Sequence, residues 1–226
     1  YKIRRSRISH IFISHLHGDH YFGLFGLLNS FSLINRKEDL HLYAPAPLEG
    51  ILEQVFTTAD TKLSYQLFFH PLEQPGLLYE GRKVSVHCFP VFHRINCWGF
   101  LFREKDKLRK VDVDRCRDLG IPAYYYPQLK EGADYLRQDG VTILNQEVTK
   151  PAPHAFSYAF CADTRFEPSL AEVVKDVDLL YHESTYLAEH EEKAASRFHA
   201  TAGQAATIAR MAGAKRLLIG HFSSKY

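Results

Sequence analysis

Three histidines and one aspartate lie within six residues of each other near the start of this 226-residue chain. They directly follow an apolar run, residues 8–14, in the order His15, Leu16, His17, Gly18, Asp19, His20. Because alternate residues of an extended segment share a face, we expect His15 and His17 to bind one metal ion. A turn at Gly18 would displace Asp19 and His20 toward a second ion. The alternative is that these histidines are solvated residues of a turn. That alternative would be favoured for one or two histidines, whereas His-x-His-x-Asp-His after an apolar run predicts a two-metal site.

Each metal ion needs more ligands than this motif supplies, and three candidates occur at the ends of later apolar runs. They are His93, Asp163 and His221. A single histidine or aspartate at a strand end is more often a turn or capping residue than a ligand. Two half-built metal sites upstream favour the ligand role, so the sequence predicts that these three residues complete the metal centre.

The overall composition is that of a globular protein and does not identify a partner. Hydrophobic residues make up 46% of the chain and charged residues 24%, which fits one large domain with its own core. The 28 basic and 26 acidic residues give a net charge of +2, so a surface that binds a polyanion would have to be local. The four cysteines form no Cys-x-x-Cys pair, and the chain has neither a signal-peptide pattern nor a membrane-spanning run. We therefore expect a cytoplasmic protein without a membrane partner.

Apolar runs and turn residues predict a mixed α/β architecture in which strands dominate the middle of the chain. Strands are predicted at about 8–15, 40–45, 66–70, 83–93, 97–103, 156–163, 177–182 and 216–221. Helices are predicted at about 20–34, 47–59, 167–176 and 198–212, and Gly213 is expected to end the last of them. The candidate ligands therefore follow strands, and helices recur on either side of them.

The order of these motifs resembles that of the metallo-β-lactamase superfamily over nearly the whole chain. The shared order is His-x-His-x-Asp-His, then a distant His, an Asp and a final His. The resemblance implies that the first metal ion is bound by His15, His17 and His93, the second by Asp19, His20 and His221, and both by a bridging Asp163. It also implies the fold, an α/β four-layer αββα sandwich with a protruding arm, in which residues 1–226 form a single domain.

Neighbouring residues narrow the resemblance to the ribonuclease Z family. The segments that carry it are FHRINCWGF at 92–100, CADTR at 161–165 and GHFSSKY at 220–226. Two more segments, HEST at 182–185 and FHATA at 198–202, resemble paired motifs in which Glu183 and His199 assist proton delivery to the leaving oxygen. A helix cap and a packed histidine are the alternative for this pair. Candidate phosphate contacts, which are equally candidate helix caps, are Ser184, Thr185 and Thr201.

Residues 104–155 are rich in charged residues, Tyr, Pro and Gly, which predicts an excursion from the core rather than a second domain. Ribonuclease Z enzymes carry a protruding arm here, so the resemblance implies a substrate-binding exosite that includes arm residues Arg103 to Lys130. A solvated charged face is the alternative. The segment Tyr124-Tyr125-Tyr126-Pro127 replaces the Gly-Pro pair of family arms, and its tyrosines either stack on RNA or pack the arm together.

The resemblance implies a zinc-dependent endoribonuclease that removes the 3′ trailer from precursor tRNA, leaving a 3′-hydroxyl on the tRNA and a 5′-phosphate on the trailer. Two Zn²⁺ ions per subunit, or Mn²⁺, would lower the pKa of a water molecule to about 7 and bind the phosphate. Asp19 is expected to orient or deprotonate that water, and His199, held by Glu183, to protonate the leaving 3′ oxygen. Family members act as homodimers, so a homodimer is expected.

Two other functions stay open from the sequence. A hydrolase of a small phosphodiester or thioester would use the same metals but would not need the arm or the Glu183 and His199 pair. A non-catalytic metal-binding or RNA-binding scaffold fits a complete set of catalytic ligands poorly. Family members also have strands before the His-rich motif and a stretch after the last motif, so the chain is expected to lack those N-terminal strands and that C-terminal tail. The basic residues just before the first strand are expected to be solvated, namely Lys2, Arg4, Arg5 and Arg7.

Overall fold

The computed structural model describes residues 5–225, so Lys2, Arg4 and Tyr226 of the segments above lie outside it. The strands are β1 His10–Phe12, β2 Leu40–Pro45, β3 Leu67–Leu72, β4 Gly76–Glu80, β5 Val84–Val91, β6 Cys97–Glu104, β7 Lys110–Val111, β8 Tyr135–Leu136, β9 Thr142–Ile143, β10 Thr149–Lys150, β11 Ser157–Cys161, β12 Leu179–Glu183 and β13 Leu217–Gly220. The helices are α1 Gly18–Leu33, α2 Pro47–Thr58, α3 Val113–Asp118, α4 Tyr126–Glu131, α5 Asn145–Val148, α6 Leu170–Val173, α7 Glu191–Ser196 and α8 Ala202–Met211. Among the helices in this range, none is both long enough and apolar enough to cross a membrane.

A parallel sheet with the strand order β1-β2-β3 carries the His-rich motif at its first strand. Helices α1 and α2 cover one face of this sheet. In α1, Leu24, Leu28 and Phe31 recur at helical spacing and are buried against alternate residues of β2. Each such side chain stabilises the fold by about 1.5–3 kcal/mol when fully buried. The helix α1, whose first residues belong to the His-rich motif, is therefore held firmly on the sheet.

A second sheet has the strand order β13-β12-β11-β6-β5-β4. Strands β11, β12 and β13 are parallel, and β4 pairs antiparallel with β5. Helices α6 and α8 cover its outer face through Leu170, Ala171 and Ile208. Its inner face meets the first sheet, where Phe100 lies 5.4 Å from the ring of Phe12. The order of layers is helix, sheet, sheet, helix, and the predicted four-layer architecture is confirmed.

Residues Arg103–Phe156 form a separate compact unit. Its strands pair antiparallel, β7 with β10 and β8 with β9. A small core of its own is built from Cys116, Ile121, Leu129, Tyr135, Ile143 and Val148. Within it, the buried Asn145 donates hydrogen bonds to the carbonyls of Leu129 and Ala133 and accepts one from Thr149. This unit corresponds to the stretch interpreted above as an arm, and its binding of substrate stays a prediction.

The structure corrects several sequence-based expectations. Strand β4 was not predicted, because Pro75 and Gly81 bracket only five residues without alternation. Helix α8 begins at Ala202 rather than near 198, because Thr201 caps it. The predicted turn at Gly18 is wrong, since Gly18 is the first residue of α1. A Cβ atom at this position would lie 2.4 Å from the ring of Phe22, an exposed side chain that would have to move aside.

Candidate metal centre and active site

The candidate ligands lie where strands end, as the sequence predicted for their positions along the chain. His15 follows β1, His93 follows β5, Asp163 follows β11 and His221 follows β13. Strands β11 and β13 are parallel to the β12 strand between them, so their carboxyl ends lie at one edge of the sheet. The sandwich brings the end of β1 to the same place, where the Trp98 amide donates a hydrogen bond to the carbonyl of Ser14.

The first group of ligating atoms comprises His15, His17, His93 and Asp163, whose ligand atoms lie within 4.8 Å of one another. Nδ1 of His17 is 3.1 Å from Nε2 of His15 and 3.1 Å from Nε2 of His93. Oδ2 of Asp163 lies 3.7 Å from His15 Nε2 and 3.8 Å from His93 Nε2. Three imidazoles that aim nitrogens at each other around a carboxylate form an arrangement suited to a tetrahedral zinc ion.

The second group comprises Asp19, His20 and His221. Oδ2 of Asp19 lies 3.4 Å from His20 Nε2 and 3.6 Å from His221 Nε2, and the two histidine nitrogens are 3.3 Å apart. Asp163 reaches this group as well, because its Oδ1 lies 3.5 Å from His20 Nε2 and 3.3 Å from His221 Nε2. One carboxylate thus presents a different oxygen to each group.

The protonation states of these residues are the ones that metal binding requires. Oδ1 of Asp163 is buried and accepts no hydrogen bond from the described residues, which is a costly state for a carboxylate oxygen unless a cation binds it. Burial raises the pKa of Asp163, but the close approach of His20, whose Nε2 lies 3.5 Å from Oδ1, and the neighbouring histidines outweigh it and lower that pKa to about 2. Burial, followed by repulsion from His20, lowers the pKa of His15 to about 3. A charged carboxylate beside a neutral imidazole is the state that binds Zn²⁺.

Neighbouring groups fix the orientation of the imidazoles. Nδ1 of His93 donates to the carbonyl of Phe198 at 3.0 Å, which leaves Nε2 with the lone pair that faces the first group. Nδ1 of His221 lies 2.8 Å from the Thr185 hydroxyl. The backbone φ angles of Phe198 and His221 are +59° and +60°, in the left-handed region that residues with side chains seldom occupy. Such backbone strain at two positions of one site is typical of functional constraint.

Glu183 and His199 form a hydrogen-bonded pair beside the second group. Oε1 of the fully buried Glu183 accepts from His199 Nδ1 at 2.7 Å and from the Thr164 amide at 3.0 Å. Its Oε2 accepts from the amide and the hydroxyl of Thr185. Burial acts to lower the pKa of His199, but the hydrogen bond and charge of Glu183 outweigh it, so the pKa lies above its usual value. His199 is therefore a candidate proton donor whose Nδ1 is occupied by Glu183.

Three hydroxyls that the sequence suggested as phosphate contacts or caps are engaged inside the protein. Thr201 caps α8 by accepting from the Gln204 amide at 3.2 Å, and Ser184 donates to the Gly220 carbonyl at 3.4 Å. Thr185 joins Glu183, His199 and His221. Among the residues described as lining the cleft, none of the three occurs. Their contact with phosphate stays a prediction, whereas their structural contacts are evident.

A cleft of about 420 Å³ opens onto both groups. Its walls include Asp19, Asp163, His199 and His221, and also three residues that the sequence analysis did not single out, Arg94, Tyr186 and Arg197. The two arginines had a detectable signal, since one directly follows His93 and the other lies two positions before His199. His199 also belongs to a third close grouping of ligating atoms, with Asp163 and His221. The sequence predicted His199 as a catalytic residue. Its ligating nitrogen also lies close enough to Asp163 and His221 for His199 to bind a metal ion with them.

The chain is similar in sequence to known proteins. The family described as the metallo-beta-lactamase superfamily matches residues 2–95. Ribonuclease Z of Bacteroides thetaiotaomicron is 42% identical over 227 aligned positions, which cover 100% of this chain and 72% of that protein. Ribonuclease Z of Porphyromonas gingivalis is 41% identical over 227 positions, which cover 100% of this chain and 75% of that protein.

Similarity extends to a solved structure. The crystal structure of human tRNase Z, short form, has 25% sequence identity and a TM-score of 0.72, covering 100% of this chain and 76% of that one. The metallo-β-lactamase fold expected from the motifs is therefore confirmed.

Proposed function

Because this chain belongs to the ribonuclease Z family, we propose that it is a metal-dependent endoribonuclease that removes the 3′ trailer from precursor tRNA. The reaction leaves a 3′-hydroxyl on the tRNA and a 5′-phosphate on the trailer. One observation carries the proposal beyond similarity: residues of both groups of ligating atoms and His199 line a single cleft. Such a cleft holds the reacting phosphate, the metal ligands and a proton donor within reach of each other.

We propose two zinc ions as the metals. His15, His17 and His93 would hold one and Asp19, His20 and His221 the other, with Asp163 between them. Two observations support this choice: the buried Oδ1 of Asp163 accepts no hydrogen bond from the described residues, and the donor set is rich in imidazoles, although the same donors accept Mn²⁺. When bound, such ions lower the pKa of water and neutralise phosphate charge.

The protein's own residues carry out the proton transfers of the reaction. His199 holds a proton on the ring nitrogen that Glu183 does not occupy, and it delivers that proton to the leaving 3′ oxygen of the tRNA. Glu183 fixes the ring in place and stabilises its protonated form. The Asp19 carboxylate, which faces the cleft, accepts the proton of the attacking water.

The remaining assignments follow from family membership and from composition. We propose that the unit Arg103–Phe156 is an arm that binds precursor tRNA through residues Arg103 to Lys130, and that the protein acts as a homodimer in the cytoplasm. Four cysteines that are all free and buried support a reducing compartment. The charged, exposed side chains of the arm support contact with a polyanion.

The first test is cleavage of a precursor tRNA with a 3′ trailer by the zinc-loaded full-length protein, beside an Asp19→Ala variant. We expect a cut after the discriminator base, lost in the variant. A simple diester such as bis(p-nitrophenyl) phosphate is the comparison substrate. Hydrolysis of the diester with the precursor left intact would favour a small-substrate hydrolase and would overturn the proposal.

A further inference from the structure

Thr164 is a fully buried residue whose side chain joins two segments that carry candidate ligands. Its hydroxyl oxygen accepts a hydrogen bond from the Phe92 amide at 3.0 Å, and the hydroxyl donates to the Arg165 carbonyl at 3.0 Å. The Arg165 amide in turn donates to the Phe92 carbonyl at 2.9 Å. Both backbone polar groups of Phe92 are therefore bound by residues 164 and 165, and one of these two bonds depends on a side chain.

These bonds connect strand ends that are not neighbours in the sheet. Phe92 follows β5 and Thr164 follows β11, and β6 lies between these two strands in the sheet order. Neighbouring strands are about 4.8 Å apart, so β5 and β11 are separated by roughly twice that distance. A backbone hydrogen-bond ladder cannot span such a gap. The relative position of the two strand ends is therefore fixed by the bonds that Thr164 and Arg165 make to Phe92.

The two connected segments supply ligating atoms of the first group. His93 directly follows Phe92, and Asp163 directly precedes Thr164. Nε2 of His93 lies 3.8 Å from Oδ2 of Asp163. A zinc ion holds its ligands within about 0.2 Å of fixed bond lengths, so a small displacement of either segment weakens metal binding. Holding the Phe92 backbone thus also holds His93 in place beside Asp163.

The backbone of Thr164 contacts the support of the proton donor. Its amide donates at 3.0 Å to Oε1 of Glu183, the same oxygen that lies 2.7 Å from Nδ1 of His199. Among the residues described as lining the cleft, Thr164 does not occur. A substrate in the cleft therefore does not meet the Thr164 hydroxyl, and this hydroxyl acts on the reaction only through the residues that it positions.

We propose that Thr164 is a positioning residue whose hydroxyl sets the separation of His93 and Asp163 that the first metal ion requires. Without the hydroxyl, the part-buried Phe92 amide has no acceptor in this position. A donor left without an acceptor is costly, so the segment that carries His93 shifts toward another acceptor or toward water. The inference rests on the metal centre of the proposed function but not on its RNA substrate.

Thr164→Val and Thr164→Ser form a matched pair of variants. Valine keeps the side-chain volume and loses the hydroxyl, whereas serine keeps the hydroxyl and loses a methyl group. Zinc affinity is measured in competition with a chelating dye. We expect Thr164→Val to bind zinc about tenfold more weakly than the wild type and Thr164→Ser to stay within about threefold of it. Unchanged affinity in both variants would overturn the inference. A residue that only fills space would give the opposite order, with serine as the weaker binder, and this result would overturn it too.

Thr149→Val is the control for the loss of a buried hydroxyl. Thr149 is also buried, and its hydroxyl donates to the Asn145 carbonyl at 2.8 Å within the separate unit Arg103–Phe156. We expect this variant to have a lower Tm than the wild type, because a buried hydrogen bond is lost, but the same zinc affinity. An equal loss of zinc affinity in Thr149→Val and Thr164→Val would assign the effect to general destabilisation and would overturn the inference.

Hydrogen exchange of the Phe92 amide tests the bond in the metal-free protein. We expect this amide, followed by NMR, to exchange about tenfold faster in Thr164→Val than in the wild type, and to keep its protection in Thr164→Ser. Amides of α8 serve as the internal reference for global opening. Exchange of the Phe92 amide at the same rate in all three proteins would show that the hydroxyl does not hold it.

Cleavage separates the two proposals. We expect Thr164→Val to lower kcat for precursor tRNA about tenfold with KM unchanged, because the hydroxyl does not meet the substrate, and Thr164→Ser to restore it. If the wild type does not cut precursor tRNA, the proposed function fails, whereas zinc affinity and amide exchange still decide the role of Thr164. If the wild type cuts and both variants bind zinc as it does, only the positioning role is wrong. Should Thr164→Val fail to fold, Thr164→Ser decides: retained zinc affinity supports the role, and a tenfold loss overturns it.

Discussion

Oε1 of Glu183 lies 2.7 Å from Nδ1 of His199, and every other acceptor position of that buried carboxylate is taken by Thr164 and Thr185. In Glu183→Gln, an NH₂ group replaces one of the two carboxylate oxygens. In either orientation of the amide, this NH₂ group would face two hydrogen-bond donors. We expect its kcat on precursor tRNA to fall about 10²- to 10⁴-fold, since the proton donor loses its support. Bound zinc, measured by mass spectrometry, should be unchanged, and the exposed Glu172→Gln should behave as wild type. A loss of zinc parallel to the loss of activity would contradict the assigned role.

Metal binding should stabilise the fold. A ligand that binds only the folded state raises the free energy of unfolding by RT ln(1 + [L]/Kd), about 4 kcal/mol at a thousandfold excess over Kd. We expect a chelator to lower the Tm and added zinc to restore it. In Asp163→Asn, which removes the carboxylate shared by both groups, the zinc-induced rise in Tm should be largely lost. A full rise in that variant would show that Asp163 is not a ligand.

Two glycines provide a matched pair of packing predictions. A Cβ atom at Gly99 in β6 would lie 2.3 Å from the Phe89 ring, whereas one at Gly26 in α1 would meet nothing within 4 Å. Urea denaturation should show that Gly99→Ala destabilises by about 1–3 kcal/mol, because the buried ring must shift. Gly26→Ala should stabilise by about 0.5–1 kcal/mol through helix propensity. Opposite signs are the expected result, and equal effects would contradict the packing described for Phe89.

Stability should depend on the protonation of His182. This side chain is fully buried, its Nδ1 donates to the Glu183 carbonyl, and burial lowers its pKa from 6.5. The unfolded chain therefore binds a proton below pH 6.5 that the folded protein does not, and stability falls as the pH decreases through that window. His182→Asn removes this proton and should flatten the curve between pH 7 and 5 by up to about 1.4 kcal/mol per pH unit. Identical slopes for wild type and variant would refute the prediction.

The positions of the candidate ligands at strand ends could be predicted from the sequence because they depend on local periodicity. A period of two placed His15 and His17 on one face, and the end of each apolar run placed His93, Asp163 and His221 at a sheet edge. Helix α8 was predicted too long at its start, because residues 198–201 have helix-compatible composition but adopt a turn that the Phe198 φ angle of +59° requires. That angle belongs to the turn that ends α7, where the amides of Phe198 and His199 donate hydrogen bonds to the carbonyls of Ala195 and Ala194.

Contacts between distant parts of the chain could not be predicted. Thr185 was considered as a phosphate contact or a cap, yet its hydroxyl lies against His221, 36 positions away. The contact between Arg94 and His17 joins residues 77 positions apart. No local pattern encodes such pairs. The first depends on the pairing of β12 with β13, and the second joins residues that follow β1 and β5, which belong to different sheets.

The spread of the ligands along the chain has a consequence for biosynthesis. His20 and His221 meet at 3.3 Å although they are 201 positions apart, so one is made early by the ribosome and the other late. Until β13 has been synthesised and has paired with β12, the second group lacks one of its three members. Under the proposed function, the nuclease is thus unable to cut before the ribosome has translated β13, although RNA surrounds it throughout. Under the proposal of two metal ions, the second ion can be bound only after β13 has joined the sheet.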